Sequence, residues 1–330
     1  MLRPDFQERL YKLLPADTAK ALIEAHQTAP PITLRGNPEK IPPFASSLLP
    51  VPWTNHGFYL PSRPSFTLDP HFHAGAYYVQ EASSMFLEQA FELIPKNQPL
   101  KVLDISAAPG GKSTHLLSLL RPEDVLLANE IIPSRAAILK QNLIKWGHAN
   151  VLCTNNAPEH FSFLQEYFDV VIADAPCSGE GLFRKSPEAQ AEWSLEGVAA
   201  CARRQTLLLE TILPLIKPGG HLIYSTCTYE PAENDDQISN VLQSSMFEKV
   251  DLSPLAKQFG IYETMHGLQF MPQHNLGEGF YIAVLQKTAE QTLHVDKKTP
   301  HRHKKKDKTP SIPDTVSRYF KPATALDIIS

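Results

Sequence analysis

The 330-residue chain lacks the features that would place it in a membrane or outside the cell. No apolar run is long enough to span a bilayer, which argues against a helical membrane protein. The first nine residues, MLRPDFQER, contain no apolar core of the kind that a secretion signal carries. No internal repeat is visible, which argues against a repeat array. We therefore expect a cytoplasmic protein with no membrane partner.

Cysteine is scarce, and its placement favours neither a metal site nor a disulfide framework. The four cysteines, Cys153, Cys177, Cys201 and Cys227, are not spaced as metal ligands. Without a secretion signal we expect their thiols to be reduced. The histidine pair at positions 71 and 73 has no further ligand cluster nearby, so we interpret it as core or surface histidine. The sequence thus predicts no bound metal.

Excess positive charge is also missing, since the formal net charge is −4. That value hides an asymmetry, because residues 297–321 carry nine Lys or Arg and two Asp. This segment therefore sums to +7 and the rest of the chain to −11. From about residue 288 the composition turns to Lys, His, Pro and Thr without periodicity. We expect residues 289–330 to form a basic, disordered tail that attracts RNA.

The best-defined stretch runs from Leu100 to Ser113 and reads LKVLDISAAPGGKS. A short apolar run ends at Asp104, small residues follow, and a helical pattern resumes at Lys112. A strand, a glycine turn and a helix N-terminus bring backbone N–H groups toward one ligand. The spacing matches neither the dinucleotide fingerprint nor the P-loop. It predicts a nucleoside-type ligand whose ammonium or hydroxyl Asp104 could hold; the alternative is a tight turn with no ligand.

Strand and helix patterns alternate along the chain after this turn. The sequence predicts strands over 125–129, 151–154, 168–173, 221–224 and 280–286, and helices over 134–146, 198–216 and 231–242. Pro218-Gly219-Gly220 is interpreted as the stop of the long helix. Such alternation is typical of an α/β fold, a mostly parallel sheet with helices on both faces.

Polar and nucleophilic residues fall at or just after the predicted strand ends. Because ligands bind beyond the carboxyl ends of parallel strands, we expect these residues to share one cleft. They are Asp104, Glu130, Asn156, Asp174, Cys177 and Cys227. Glu130 lies roughly 20 residues beyond the glycines, where an acid binds ribose in a nucleotide-binding unit. A thiolate at Cys177 or Cys227 could act as a nucleophile, whereas Cys153 and Cys201 are interpreted as small buried residues.

The cations around this edge are less specific. Lys112 gains nothing from the helix dipole at its position, which favours a functional charge. Arg135, Arg184 and Lys185 could contact phosphate, and ordinary solvated charges explain them equally well.

The N-terminal part has a different composition. Residues 1–28 show a helical, amphipathic pattern, and the following stretch is rich in proline and short extended runs (ITLRG, HGFYL, SFTLD). We expect a small N-terminal α+β appendage over 1–75, followed by a larger α/β domain over 76–288. Individually, Lys12, Arg35 and Lys40 are better explained as solvated charges than as contacts to a polyanion.

Four motifs in order give the chain a specific resemblance. They are YVQEASS at 78–84, AAPGGK at 107–112, DAPCSG at 174–179 and TCT at 226–228. The chain resembles the Sun-type (Nop/Sun) RNA cytosine-C5 methyltransferases from about residue 32 to residue 286, most of all the bacterial RsmF-like branch that modifies small-subunit ribosomal RNA. The resemblance implies that residues 76–288 form a methyltransferase domain with a Rossmann-like class I sheet that binds S-adenosyl-L-methionine. It also implies that the appendage over 1–75 contacts RNA.

The resemblance also implies functions for individual residues. Cys227 is the nucleophile that attacks cytosine C6, Cys177 assists product release, and Asp174 and Lys112 lie by the target base. Glu130 holds the cofactor ribose and Asn156 lies by its adenine, where an aspartate is usual. Asp174 also counts among the cofactor-binding positions. The turn around the methionine part of the cofactor comprises Ser106, Ala107, Ala108, Pro109, Gly110, Gly111 and Lys112, with Ser106 replacing a common cysteine.

Several alternatives stay open at this point. The substrate could be transfer RNA instead of 16S ribosomal RNA, naked or in an assembled subunit. A DNA cytosine-C5 methyltransferase also uses a Pro-Cys loop, although the TCT motif argues against it. A ribosome-assembly protein that binds RNA without catalysis is a third interpretation, and the retained cysteines, Lys112 and Asp174 argue against it. We expect a monomer.

Overall fold

The computed structural model describes residues 2–40 and 47–288 of the chain. The predicted tail at 289–330 lies outside the described residues, so its disorder and its attraction to RNA stay predictions. Within the described part, no helix combines the length and apolar character needed to cross a membrane. The same part holds no group of three or more His, Cys, Asp or Glu side chains arranged to bind a metal.

Helices and strands alternate through most of the described chain. The helices are α1 Pro4–Leu13, α2 Ala16–Ala25, α3 Pro70–His73, α4 Leu87–Glu92, α5 Gly111–Leu119, α6 Pro133–Trp146, α7 Pro187–Glu192, α8 Leu195–Ile212, α9 Asp235–Leu242 and α10 Ser253–Phe259. The strands are β1 Ile32–Gly36, β2 Leu49–Pro50, β3 Gly57–Leu60, β4 Tyr77–Tyr78, β5 Lys101–Asp104, β6 Val125–Asn129, β7 Val151–Thr154, β8 Phe168–Asp174, β9 Ile216–Thr226, β10 Phe247–Lys249, β11 Tyr262–Glu263, β12 Leu268–Phe270 and β13 Phe280–Lys287.

The larger sheet has the strand order β11-β12-β13-β9-β8-β5-β6-β7, and β10 pairs with β13 beside this path. Its five strands from β7 to β9 are parallel, whereas β13 runs antiparallel to β9. From β5 the chain proceeds to β6 and β7 on one side and to β8 and β9 on the other. The order therefore reverses between β5 and β8, which is where open α/β sheets bind ligands.

Alternate residues of the strands pack on opposite faces of this sheet. Val102 belongs to a core cluster with Leu116 of α5 and Leu139 of α6. The adjacent Leu103 belongs to a second cluster, with residues of α8 and α9 such as Leu209. Both faces are thus covered, as a parallel sheet requires. The expected α/β class is confirmed.

The N-terminal segment is divided into two parts. Strands β1 to β4 form an antiparallel sheet in the order β2-β3-β1-β4. Helices α1 and α2 pack elsewhere, where Phe6 and Leu22 form an apolar cluster with Trp193 and Tyr229. The first two helices therefore contact the segment that follows Cys227. The domain boundary at residues 75 and 76 stays a prediction, and β4 completes the N-terminal sheet just beyond it.

Two local predictions were wrong. The long helix ends at Ile212, and Pro218-Gly219-Gly220 lies inside β9, where the pairing with β8 is irregular and Gly219 adopts a φ of +75°. A glycine accommodates this left-handed backbone in a bulged strand as readily as at a helix end. The SFTLD run contains a 3-10 helix, Phe66–Leu68. The helical pattern predicted over residues 1–28 is confirmed, in the form of two helices that Pro15 separates.

The interpretation of Arg35 as a solvated charge was also wrong, because its side chain is fully buried. Its guanidinium donates to Gln80 Oε1 at 2.8 Å and to Thr114 Oγ1 at 2.6 Å, and it stacks 4.3 Å from the ring centroid of Trp146. Burial lowers the pKa of Arg35 to about 9. This side chain joins β1 of the N-terminal sheet to α5 of the larger domain.

We predict that Arg35→Met lowers the free energy of unfolding by about 2–4 kcal/mol, because two buried acceptors lose their donor. Urea denaturation followed by circular dichroism measures the change. Arg203→Met, at an exposed position of α8, is the matched control. Equal stability of the two variants would contradict a structural function for Arg35.

Candidate active site

A cavity of about 370 Å³ opens at the carboxyl ends of β5, β8 and β9. The turn after β5, the end of β8 and the segment after β9 line it together with residues 78–81 and 278–280. Of the predicted site residues, those that line it are Ser106, Ala107, Ala108, Pro109, Gly111, Lys112, Asp174 and Cys227. Gly110, Glu130, Asn156 and Cys177 lie outside the lining of this cavity.

The turn after β5 is fixed by backbone geometry and by α6. Gly110 precedes α5 with a φ of +113°, a conformation that glycine adopts without strain. Ala107 N–H donates to Asn129 O at 2.8 Å. From α6, the Asn142 side chain donates to Pro109 O at 2.8 Å and Arg135 donates to Ala108 O at 2.8 Å. Arg135 therefore holds the turn, and phosphate contact is not needed to explain it.

Asp104 lies buried at the end of β5, beneath this turn. Ser113 Oγ donates to its Oδ2 at 2.6 Å, and no partner within the described residues bonds to its Oδ1. Burial raises the pKa of Asp104 to about 7, and the charge of Asp174 adds to the effect. An unused acceptor inside the fold suits a ligand that brings its own donor.

Lys112 and Asp174 form an ion pair across the cavity wall, with Nζ and Oδ2 2.7 Å apart. Ser225 Oγ donates to the other carboxylate oxygen at 2.8 Å, and the Lys112 ammonium lies 5.2 Å from the Phe280 ring centroid. Burial lowers the pKa of Lys112, but the charge and hydrogen bond of Asp174 outweigh it and hold the pKa above its usual value. Lys112 is therefore a charged side chain, and Asp174 is the partner that keeps it so.

The two strand-end cysteines meet in space, as the sequence predicted. Their Sγ atoms lie 3.2 Å apart, and Cys227 N–H donates to Cys177 Sγ at 3.3 Å. The neighbouring Cys227 thiol and burial raise the pKa of Cys177 well above its usual value. Cys227 lines the cavity whereas Cys177 does not, although both residues are partly exposed. Cys153 and Cys201 are buried and free, as expected.

Two buried glutamates hold the loops that carry the thiols, and sequence reasoning missed both. Glu233 accepts from Ser178 N at 3.0 Å and from Ser178 Oγ at 2.5 Å. Glu180 accepts from Thr228 Oγ1 at 2.9 Å and from Tyr229 N at 2.8 Å. Burial raises the pKa of Glu180 to about 8 and also raises that of Glu233. Acidic residues outside helices and strands are usually exposed to solvent, and no local pattern at Glu180 or Glu233 indicates that they are buried.

Glu130 and Asn156 lie side by side at the ends of β6 and β7. Both are buried. Asn129, which directly precedes Glu130, links the two, because its side-chain Oδ1 accepts a hydrogen bond from Asn156 N at 3.0 Å. Glu130 Oε1 accepts from Ile132 N at 2.9 Å, and its Oε2 lies 3.6 Å from an Arg135 nitrogen. The turn after β5 is bonded to the same Asn129, so these two residues extend the site beyond the cavity.

Arg184 and Lys185, the other two candidate phosphate contacts, form ion pairs within the protein. Arg184 Nε donates to Glu278 Oε2 at 2.8 Å, and its ion pair is almost fully buried. Lys185 lies 3.5 Å from the same carboxylate. His71 contacts Asp69, and His73 bonds to Thr67 O.

Two family profiles together match nearly all of the described chain. Residues 90–286 match the family described as 16S rRNA methyltransferase RsmB/F, and residues 2–82 match the N-terminal domain of 16S rRNA methyltransferase RsmF.

Curated relatives support the same assignment. The ribosomal RNA small subunit methyltransferase F of Citrobacter koseri is 38% identical over 257 residues, which cover 75% of this chain and 53% of the relative. The same enzyme of Serratia proteamaculans is 35% identical over 305 residues, which cover 87% of this chain and 63% of the relative. The chain thus spans about half the length of the first of these relatives.

Solved structures share the fold. A methyltransferase homologue from Pyrococcus horikoshii superimposes with a TM-score of 0.71 at 29% identity, covering 87% of this chain and all of that one. NSun6 from the same organism, solved with SFG, superimposes with a TM-score of 0.73 at 19% identity. The superposition covers 87% of this chain and 99% of NSun6. The second likeness concerns the fold alone.

We predict that Asp104 makes stability fall with rising pH. Because its pKa is about 7 in the folded protein against an ordinary value of 3.8, the folded protein binds the proton more tightly. This contribution is complete below about pH 4 and is lost as the pH rises through about 7. Urea unfolding between pH 4 and 8 should therefore show Asp104→Asn gaining stability relative to wild type.

Asp236→Asn, at an exposed position of α9, controls for the loss of one charge. Its unfolding free energy should stay parallel to that of the wild type across the same pH range. A constant difference between Asp104→Asn and wild type would show that Asp104 does not titrate in this range.

Proposed function

Because this chain belongs to the 16S rRNA methyltransferase RsmB/F family, we propose that it methylates C5 of a cytosine in 16S ribosomal RNA through a covalent bond between Cys227 and C6. The observation that carries the proposal is the meeting of two thiols at a cofactor cavity, with Cys227 in its lining. Residues 2–82 match the N-terminal domain of RsmF, which supports RNA contact by this segment.

The family uses S-adenosyl-L-methionine, and the residues of this site fit it. The unused buried oxygen of Asp104 suits an ammonium donor, and the glycine turn leaves room for the methionine part. Glu130 would hold the ribose hydroxyls and Asn156 would lie by the adenine. Its amide oxygen can accept from an exocyclic amino group as an aspartate would. The cofactor supplies an electrophilic methyl group.

Cys227 has the position that a nucleophile needs. Cytosine C5 reacts poorly until a thiolate adds to C6 and turns the ring into an enamine. The Lys112 ammonium interacts electrostatically with the Cys227 sulfur, so a cation lies close to the proposed attacking atom. Cys177 keeps its proton because its pKa is raised, so it does not compete for attack.

The Lys112–Asp174 pair supplies the acid. When Cys227 adds to C6, electron density moves to N3, which needs a hydrogen-bond donor. The Lys112 ammonium, which Asp174 holds at 2.7 Å, donates a hydrogen bond to N3 and offsets the negative charge that develops there, while Asp174 keeps the ammonium charged and in position. After methylation a base removes the C5 proton, the C6–S bond breaks, and the electron pair returns to Cys227. The target cytosine must be flipped out of any RNA helix to reach this site.

We predict that Glu130→Ala weakens binding of S-adenosyl-L-methionine by about 10-fold or more. Each charge-assisted hydrogen bond lost costs about 1.5–3 kcal/mol. Titration calorimetry without RNA measures the affinity. Glu210→Ala, at an exposed position of α8, should bind like wild type. Unchanged affinity in Glu130→Ala would mean that the ribose lies elsewhere.

We predict different outcomes for the two cysteine variants, incubated with unmethylated 16S ribosomal RNA or small subunits and the cofactor. Cys227→Ala should form no protein–RNA adduct, because the attacking atom is gone. Cys177→Ala should attack and transfer the methyl group, then stall as a covalent complex that migrates slowly on a denaturing gel. Cys201→Ala, at a buried cysteine of α8, should turn over normally.

An adduct in Cys227→Ala and none in Cys177→Ala would reverse the assignment. Adducts in neither variant would contradict covalent catalysis. Transfer of labelled methyl groups to transfer RNA but not to 16S ribosomal RNA would replace the proposed substrate, and the absence of transfer to any RNA would contradict the activity.

A further inference from the structure

A second cavity, of about 470 Å³, lies between residues 63–79 and the C-terminal half of α6. Its size falls within the range of small-molecule binding sites. Its lining contains aromatic rings, two cationic side chains and one amide side chain. None of the described residues that line it carries a carboxylate. The lining residues include Arg63, Phe72, Tyr78, Val79, Asn142 and Lys145.

The cavity presents aromatic rings with cations beside them. Phe72 and Tyr78 are half-buried, so each ring keeps part of its surface open. The Lys145 ammonium lies 5.1 Å from the Phe72 centroid, and the Arg63 guanidinium carbon lies 5.5 Å from the Phe66 centroid. Neither cation pairs with a carboxylate of residues 2–40 or 47–288. Aromatic faces with unpaired cations are what bases and phosphates of single-stranded RNA bind.

The second cavity adjoins the first without being part of it. Tyr78 and Val79 line both, so the two cavities meet at these residues. Asn142 separates it from the cofactor turn, because its side chain is bonded to Pro109 O on the turn itself. A flexible strand can therefore place one nucleotide in each cavity.

We propose that the second cavity binds one nucleotide of the RNA strand that flanks the target cytosine. Its base stacks on the rings of Phe72 and Tyr78, and its phosphate contacts Arg63 and Lys145. This inference rests on the proposed RNA substrate, and it adds a position at which the chain reads or anchors the strand outside the reacting base.

Seven-residue oligoribonucleotides with one central cytosine and uridine flanks test the proposal. Each carries 2-aminopurine at one flanking position, since stacking on an aromatic ring quenches this base. One position should be quenched on wild-type protein, and Phe72→Leu, which keeps an apolar side chain but loses the ring face, should abolish the quenching. Arg63→Ala/Lys145→Ala should raise the dissociation constant by about 5- to 100-fold. It should also flatten the salt dependence.

Lys257→Ala, at an exposed position of α10, is the control for loss of a cation and should bind like wild type. The proposal is wrong if wild type binds none of the oligonucleotides, if the cavity variants bind as Lys257→Ala does, or if no quenching depends on Phe72. A loss of S-adenosyl-L-methionine affinity in these variants would assign the cavity to the cofactor instead.

Methyl transfer to 16S ribosomal RNA is measured separately on the same proteins. Normal quenching without methyl transfer contradicts the proposed function and leaves the nucleotide cavity standing. If the cavity variants transfer methyl groups with the Michaelis constant of wild type for RNA, the nucleotide cavity is contradicted and the proposed function stands.

Discussion

The ion pair between Lys112 and Asp174 is the interaction on which the site depends. Lys112 opens α5 after the glycine turn, and Asp174 ends β8, so the pair crosses the point where the strand order reverses. It joins the cofactor turn to the strand that leads to Cys177. The Lys112 side chain is 13% exposed and the Asp174 side chain 37% exposed, so removal of Asp174 would leave the more buried charge without its counterpart. The same contact orders both halves of the cleft and holds a proton beside it.

A second set of buried charges fixes the thiol loops from behind. Glu180 and Glu233 bond to the residues that follow the two cysteines, and Glu230 accepts from Arg9 of α1 at 2.7 Å. Arg9 thus brings the first helix into contact with the loop after Cys227. The N-terminal helices therefore stabilise the loop that follows Cys227, although they lie far from it in sequence.

The sequence predicted those parts of the molecule that local pattern and topology determine. Runs such as Val125–Asn129 are apolar and end in polar residues, so both the strand and the position of Glu130 followed from the pattern. Arg35, Glu180 and Glu233 could not be found in this way, because burial of a charge depends on partners that are distant in sequence. Pro218-Gly219-Gly220 misled for a different reason, since the same residues suit a helix stop and a bulged strand.

The closeness of the two thiols explains how identical side chains can act at different stages of the proposed reaction. The largest cause of the raised pKa of Cys177 is its contact with the Cys227 thiol, 3.2 Å away. Once Cys227 sulfur is bonded to C6 it carries neither a proton nor a negative charge, so that cause disappears. Burial still raises the pKa of Cys177 at that stage, so in the proposed reaction it keeps its proton and can donate a hydrogen bond to the Cys227 sulfur as the C6–S bond breaks. In that proposal the two thiols act at different stages, Cys227 in attack and Cys177 in release.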